Sequence, residues 1–466
     1  GASGTMRQTI DTTDYYMDSN GVHFTFSVEE HNFDVGLMTV TVTKNTLSAV
    51  AGTDYTISWT QNQDNPDIHN CDIHFTNDGE YTVAIKGEDL SGHKLVGGTG
   101  TIVTDGAYSY GKNIVLDNTA PELSLVYEAV TGANIGQTKN GKQYISGKVK
   151  FTLTLKENFL NLGSTDDDLS GLYLHIKKAE NGIITEQDRV VSLDNLGITA
   201  AERSQNRGTQ TTYTYTWVEE VDAEYEYTAY YTDFVKRDVA EGHDYTAVST
   251  PELIPVVDTT RPQLTIKYQD GQKKQYYRLD DLKTDANEHG YRIATITIQE
   301  RNLDTDVITN KYLLDDQFLK ATDVGGVSIK DDATVLASIT SESETDYIWV
   351  YTFAAEANYE FDLAIKDAQS GKTVIQDMAG NEVELTSECA EYEKVFTVDR
   401  TAPSAKKVTE EQTDPKTGPG TIDVTYNILD DSGNEKWYTS LWNKIRFGFW
   451  NVPVEITLTC YDDIAG

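Results

Sequence analysis

The chain has 466 residues, of which 75 are acidic and 38 are lysine or arginine, for a formal charge of −37. Its length exceeds what one hydrophobic core organises, so several domains are expected. The charge excludes nucleic acid and anionic lipid as partners, since both would be repelled, and with no run of 18 apolar residues no membrane-crossing helix is expected within the segment.

In chain order, Gly1-Ala2-Ser3-Gly4-Thr5-Met6 reads as a cloning remnant, and no signal peptide follows. Phe24, Phe26 and Val28 then alternate towards Glu30, the period-two mark of a strand with one buried face. Phe33 and Asp34 come next, then Trp59, then the corner Asp78-Gly79-Glu80 before Tyr81, with Asp89 further on. The short run Ile114-Val115-Leu116 closes this unit, and Asp117-Asn118-Thr119-Ala120-Pro121 marks its end.

The same order returns twice. Phe151, Leu153 and Leu155 lead to Glu157, followed by Leu160-Asn161, Trp217, the corner Asp222-Ala223-Glu224, Tyr225, Asp233 and the joint Asp258-Thr259-Thr260-Arg261-Pro262. Ile296 and Ile298 lead to Glu300, then Leu303-Asp304, Trp349, the corner Glu356-Ala357-Asn358, Tyr359, Asp367 and the joint Asp399-Arg400-Thr401-Ala402-Pro403. The joint acids at 117, 258 and 399 keep a constant spacing of 141 residues, which marks a tandem array. Proline in each joint stops strand pairing and stiffens the crossing. After the last joint, Val454–Cys460 runs into Asp462-Asp463 as a first-half strand with no second half after it. Four domains follow: 1–116, 117–257, 258–398 and an incomplete 399–466, so the chain reads as an excerpt from a longer protein.

The tyrosine after each corner resembles the tyrosine corner of immunoglobulin-like sandwiches, and each complete module has one tryptophan for its core. The expected class is all-β: tandem immunoglobulin-like β-sandwich domains with short helical insertions. Glu30, Glu157, Glu300, Tyr81, Tyr225 and Tyr359 serve as structural anchors of the repeat. Each glutamate is expected to end its strand by accepting backbone N–H bonds from the following turn. A catalytic acid for a Lys–Asn crosslink is the alternative, but no lysine recurs at a fixed place, and Lys267 stands where Val126 does.

Cys71, Cys389 and Cys460 fall in three modules at unrelated positions, which favours neither a disulfide framework nor a metal motif. The eight histidines are scattered, and no nucleophile with a base or phosphate-binding loop is legible, so no enzyme is expected. The acidity has two readings. One is solubility of an extended extracellular chain, with no cofactor. The sharper one is calcium at the joints, because hard cations need several carboxylate or carbonyl oxygens. Its candidates are Asp117, Asp258 and Asp399, with Asp89, Asp233 and Asp367 near them in the repeat plan.

The joint phrase, the Glu-x-x-(Phe/Leu)-(Asp/Asn) step and Asp-Gly-Glu-Tyr together resemble the bacterial Ig-like repeats of large Gram-positive surface proteins. That resemblance covers nearly the whole chain. It implies a secreted, wall-anchored location at the surface of a gut bacterium, with the anchor outside this segment. It also implies adhesion to a host protein or glycoprotein, immunoglobulin bound as by a B-cell superantigen being the specific form. The alternatives are a passive stalk and a carbohydrate-binding accessory region of a secreted glycosidase.

Glu30 to Tyr81 spans 51 residues, whereas Glu157 to Tyr225 spans 68 and Glu300 to Tyr359 spans 59, so the later modules carry insertions. Thr199 caps a predicted helix within 197–205, and 311–320 is apolar at helical spacing. Tyr276, Tyr277, Arg278, Tyr312 and Phe318 are the candidate ligand-binding anchors, because tyrosine and arginine dominate interface energetics. The competing reading is that the helical pieces only cap open ends of the sandwiches. Trp437, Trp442 and Trp450 cluster with Tyr438, Phe447 and Phe449, which favours core over a sugar-stacking platform.

Overall fold

Alternation of apolar and polar side chains becomes alternation of burial. Val149–Glu157 runs buried and half-buried residue by residue, with Phe151, Leu153 and Leu155 inside. The computed structural model describes residues 1–96, 101–103, 107–162, 171–235, 246–268, 276–278, 283–284, 290–304, 319–322, 335–341, 346–353, 357–361, 371, 373, 375–385, 394–399, 422–428 and 454–460. Two compact units divide the chain, Gly1–Asp258 and Thr259–Gly466.

The first unit holds two sandwiches. In the first, Ala2–Ser3, Val22–Glu29, Ile68–Phe75 and Tyr55–Gln61 form one sheet in that order. In the other, Met38–Lys44 pairs with Gly79–Gly87, which pairs with Asn113–Leu116, which runs parallel to Thr13–Tyr16. Val22, Phe24, Ile73 and Phe75 of one sheet share a core with Val42, Tyr81, Val83 and Leu116 of the other. In the second sandwich, Glu122–Ala129, Val149–Glu157 and Thr211–Glu219 form one sheet. Lys142–Ser146, Ile254–Val257, Ala223–Thr232, Leu172–Glu180 and Ile183–Val190 lie in the other, with Ile254–Val257 again parallel to an earlier strand, Lys142–Ser146.

The second unit repeats the plan. Val335–Ser341, Asp346–Phe353, Gly290–Gln299 and Gln263–Tyr268 lie in one sheet, and Tyr276–Arg278, Val395–Asp399, Ala357–Phe361 and Leu319–Thr322 in the other. Ile422–Ile428 and Val454–Cys460 pair antiparallel after it. This arrangement, with Glu122–Ala129, Val149–Glu157 and Thr211–Glu219 on one sheet and Leu172–Glu180, Ala223–Thr232 and Ile254–Val257 on the other, is that of immunoglobulin-like sandwiches. The chain is therefore a tandem array of them.

The corners form as the sequence predicts. The Tyr81 hydroxyl donates to the Asn77 carbonyl at 2.7 Å and that of Tyr225 to the Val221 carbonyl at 2.8 Å, while Tyr359 is buried in its module's core. Tyr225→Phe leaves the ring packed and removes only this bond, so a loss of about 1 kcal/mol is expected in urea unfolding.

Ala2 and Ser3 pair with Phe24 and His23 as the outer strand of a sheet. One expectation is corrected. The tryptophans are not the core centres: Trp59 and Trp217 are partly buried at its flank, packed on Phe26 and Phe151 respectively. Phe75, Tyr81, Phe151 and Tyr225 hold the centre. Cys71 lies in that core as a free thiol, and burial, with Asp72 beside it, pushes its pKa up to about 12.

Candidate functional site at the joint of the first two modules

The closing strand of the first module is apolar from Ile114 to Leu116, so its two faces both need cover. Ile114 and Leu116 enter the module's own core, while Val115 enters a second, smaller cluster with Tyr15, Met17, Phe159 and Val235. The last two belong to the second module. Phe159 lies between Glu157 and Leu160, and its neighbour Leu160 turns the other way, into the second module's core. Tyr15 and Phe234 stack with ring centres 4.9 Å apart.

Polar contacts surround this apolar centre. Arg207, just after the helix Ala200–Asn206, donates to Glu80 at 2.6 Å and to the Tyr15 hydroxyl at 2.8 Å, with its guanidinium 5.5 Å from the Phe159 ring centre. Asn45 donates to the Gly208 carbonyl at 3.1 Å, and Gln8 donates to the Phe234 carbonyl. A side chain at Gly208 would meet Asn45, and its φ of 76° already favours glycine. Thr199 caps the helix, with Glu202 completing a capping box. Arg203 ties the helix to its own module by donating to the Leu160 carbonyl at 2.9 Å.

At the edge of this contact three carboxylates converge. Asp117 follows the closing strand of the first module, Glu157 ends Val149–Glu157, the central strand of its sheet, and Asp233 follows Ala223–Thr232. One oxygen from each lies within 4.8 Å of the others, and all three residues are buried. Glu157 Oε1 accepts the Asn158 and Phe159 N–H groups at 2.7 and 2.9 Å, the strand-end role expected of it. Glu30 and Glu300 likewise accept from Asn32 and Asn302. Asp117 Oδ1 accepts from the Thr119 N–H at 3.3 Å. The remaining oxygens, Asp117 Oδ2, Glu157 Oε2, both of Asp233 and Asn158 Oδ1, are buried with no hydrogen bond. The Phe234 and Val235 N–H groups near Asp233, and the Tyr231 hydroxyl near Glu157, pull those two pKa values down, but without hydrogen-bond geometry to the unpaired oxygens.

Burial dominates the electrostatics. It pushes Asp233 up to about 8, helped by Glu157, and Glu157 up to about 7. Burial, then the charges of Asp233 and Glu157, holds Asp117 well above the usual carboxylate range. Asp78 stands beside the group and is held by the Asn118 N–H and the Thr119 hydroxyl. Among the described residues, none of the three clustered carboxylates has a lysine or arginine partner.

The other sequence candidates lie elsewhere. Asp89 builds its own loop, accepting from the Ser91 and His93 N–H groups. Asp258 is buried, and its N–H donates to the Ile145 carbonyl, as that of Asp117 does to Tyr16. Asp399 is half-buried at the end of its strand. Asp367, Tyr312, Phe318 and the Trp437–Trp450 cluster lie outside the described residues. In the second unit the buried partner of Glu300 is instead Asp377, which no repeat spacing indicated; their carboxylate oxygens lie within 4.8 Å. Tyr277 is not a surface anchor. Its strand pairs with Val395–Asp399, which turns Tyr276 and Arg278 outward and Tyr277 into the core, against the guanidinium of Arg292. Sequence reading missed Phe159, Phe234, Val235 and Arg207; the unbroken run Ile114-Val115-Leu116 was the one signal for a covered outer face.

No family model matches the chain, and no curated protein matches it. Among solved structures it is similar to the N-terminal eight Ig domains of Down Syndrome Cell Adhesion Molecule isoform 1.30.30, with 9% identity over 80% of this chain and 40% of that one and a TM-score of 0.22. It is also similar to a marsupial T cell receptor, with 10% identity over 77% of this chain and 95% of that one and a TM-score of 0.20. The chain thus spans less than half the length of the first. Likeness of this degree leaves the fold resting on its own sheets. Neither structure is one of the bacterial surface repeats that the joint phrases resemble. Among the described residues, no helix is long and apolar enough to cross a membrane.

Proposed function

We propose that the chain is a non-catalytic segment of an extracellular, surface-attached protein, and that its stacked sandwiches act as a stiff spacer. The carrying observation is the use made of the second module's insertion. Its helix delivers Arg207 and Gly208 to the first module, where a binding surface would present them to solvent. Domains joined by a loose linker move by default, and a buried apolar contact with a clamped arginine opposes that motion. Nitroxide labels at Ser58→Cys and Thr214→Cys, in a chain also carrying Cys389→Ser and Cys460→Ser, test this reading. One narrow distance distribution between the two modules is expected; a broad one would reject the spacer.

Host binding is the second reading, supported by Tyr276, 48% exposed, and Arg278 on an outer strand of the third sandwich. An outward tyrosine and arginine on a rigid sheet suit a glycoprotein such as immunoglobulin. Capture of immunoglobulin from serum by the intact chain, lost in a Tyr276→Ala, Arg278→Ala double variant, would support it. No capture, or equal capture by the variant, would remove it.

A further inference from the structure

We propose that Asp117, Glu157 and Asp233 form a calcium site that rivets the first module to the second. Four oxygens of these side chains have no hydrogen bond, and the three residues are between 0 and 2% exposed. Buried polar atoms are almost always satisfied, and three buried carboxylates within 4.8 Å of one another that keep unsatisfied oxygens need a cation or protons. Hydrogen bonds hold the other oxygens of Asp117 and Glu157, so the carboxylates are fixed with their second oxygens free. That arrangement is pre-organised for a ligand.

The donor set selects the ion. Every clustered atom is a carboxylate oxygen, which suits a hard cation and gives soft transition metals no sulfur or imidazole. Magnesium keeps most of its water and demands tight octahedral geometry, whereas calcium accepts six to eight oxygens, including a carboxylate through both of its atoms. Asp233, with both oxygens free, fits that use. The ligands also divide across the joint: Asp117 is tied to the first module by its N–H bond to the Tyr16 carbonyl, and Glu157 and Asp233 stand on strands of the second. An ion that needs both sets binds only the docked arrangement and therefore favours it by mass action. This inference extends the spacer reading, but the site itself does not depend on it.

The test is calorimetric titration of calcium chloride into the chelator-stripped intact chain, alongside Asp117→Asn, Asp233→Asn and Glu157→Gln variants. These amides keep the shape and remove repulsion between buried carboxylates, so folding is not at risk from lost charge. The parent chain is expected to bind calcium below about 1 mM, in the range of extracellular modules, and magnesium at least about 10-fold more weakly. Each variant should lose one calcium equivalent. Hydrogen exchange of the backbone over 113–119 and 157–160 should slow by about 10-fold or more in saturating calcium, and by much less in the variants. Absence of saturable binding up to about 10 mM, or unchanged stoichiometry in all three variants, would overturn the site. If calcium does not bind while the label distances stay narrow, this inference falls and the spacer stands. Calcium binding that the amides abolish, with broad distances throughout, supports the site and removes the spacer.

Discussion

Phe151→Ala is expected to cost the second sandwich about 3–5 kcal/mol, a third or more of the stability of an ordinary domain. The ring is fully buried on the central strand of its sheet, between Tyr127 and Trp217 on the two neighbouring strands. It stacks on Trp217 with ring centres 5.2 Å apart and an interplanar angle of 8°, and it meets Tyr227 of the facing sheet at 4.6 Å. Truncation therefore opens a cavity walled by aromatic rings on different strands, which cannot collapse together to refill it. In denaturant unfolding the transition of this sandwich should move to lower urea, and Trp217 should become exposed with it. Val126→Ala, an exposed neighbour on Glu122–Ala129, should change stability by less than about 0.5 kcal/mol. Equal effects from the two would mean that the packing described is wrong.

Arg207→Ala is expected to weaken the docking of the first two modules by about 3 kcal/mol, the low end for breaking a buried ion pair. The low end applies because the Arg207 side chain keeps 24% of its exposure and that of Glu80 keeps 14%. The change deletes the bond to Glu80, the bond to the Tyr15 hydroxyl and the cation above the Phe159 ring together. Each sandwich should keep its own unfolding midpoint, because none of these contacts lies inside a module core. The label distances between modules should broaden instead. Arg207→Lys should restore little, since an ammonium cannot reach Glu80 and Tyr15 with one planar fork. A narrow distribution in the alanine variant would show that the apolar contact alone holds the joint.

Much of the fold was legible because repetition and period two are local signals. The corners at Tyr81 and Tyr225, the strand-end glutamates and the joint acids all lie where the repeat puts them. Other features depend on what strands do after they pair. Tyr276-Tyr277-Arg278 reads as one aromatic patch until the strand is known to run beside Val395–Asp399, which sends its middle residue inward. The acid triad was half visible: Asp117 and Asp233 followed from the spacing, while Glu157 was read as a strand end or, less favoured, a crosslinking acid. It is a strand end and a member of the triad. The bonds from Asn158 and Phe159 occupy one of its oxygens, and its carboxylate stands within 4.8 Å of those of Asp117 and Asp233. The spacing rule failed at Asp89, whose loop accepts two of its own N–H groups, because equal distance along a chain fixes position only where the intervening strands have equal lengths.

The parallel pairing of each sandwich's last strand with one of its early strands has a mechanical consequence. Thr13–Tyr16 lies beside Asn113–Leu116, Lys142–Ser146 beside Ile254–Val257, and Tyr276–Arg278 beside Val395–Asp399, each pair running in one direction. Once a force on the two ends has peeled away the strand that precedes the early one, it drags such strands past each other lengthwise. Their hydrogen bonds then bear load side by side and must fail together, whereas an antiparallel hairpin pulled open gives them up one at a time. Forced opening is governed by the unfolding rate, so this arrangement makes each sandwich slow to yield under tension even where its equilibrium stability is ordinary. A chain built of such units would stay short and folded in flow.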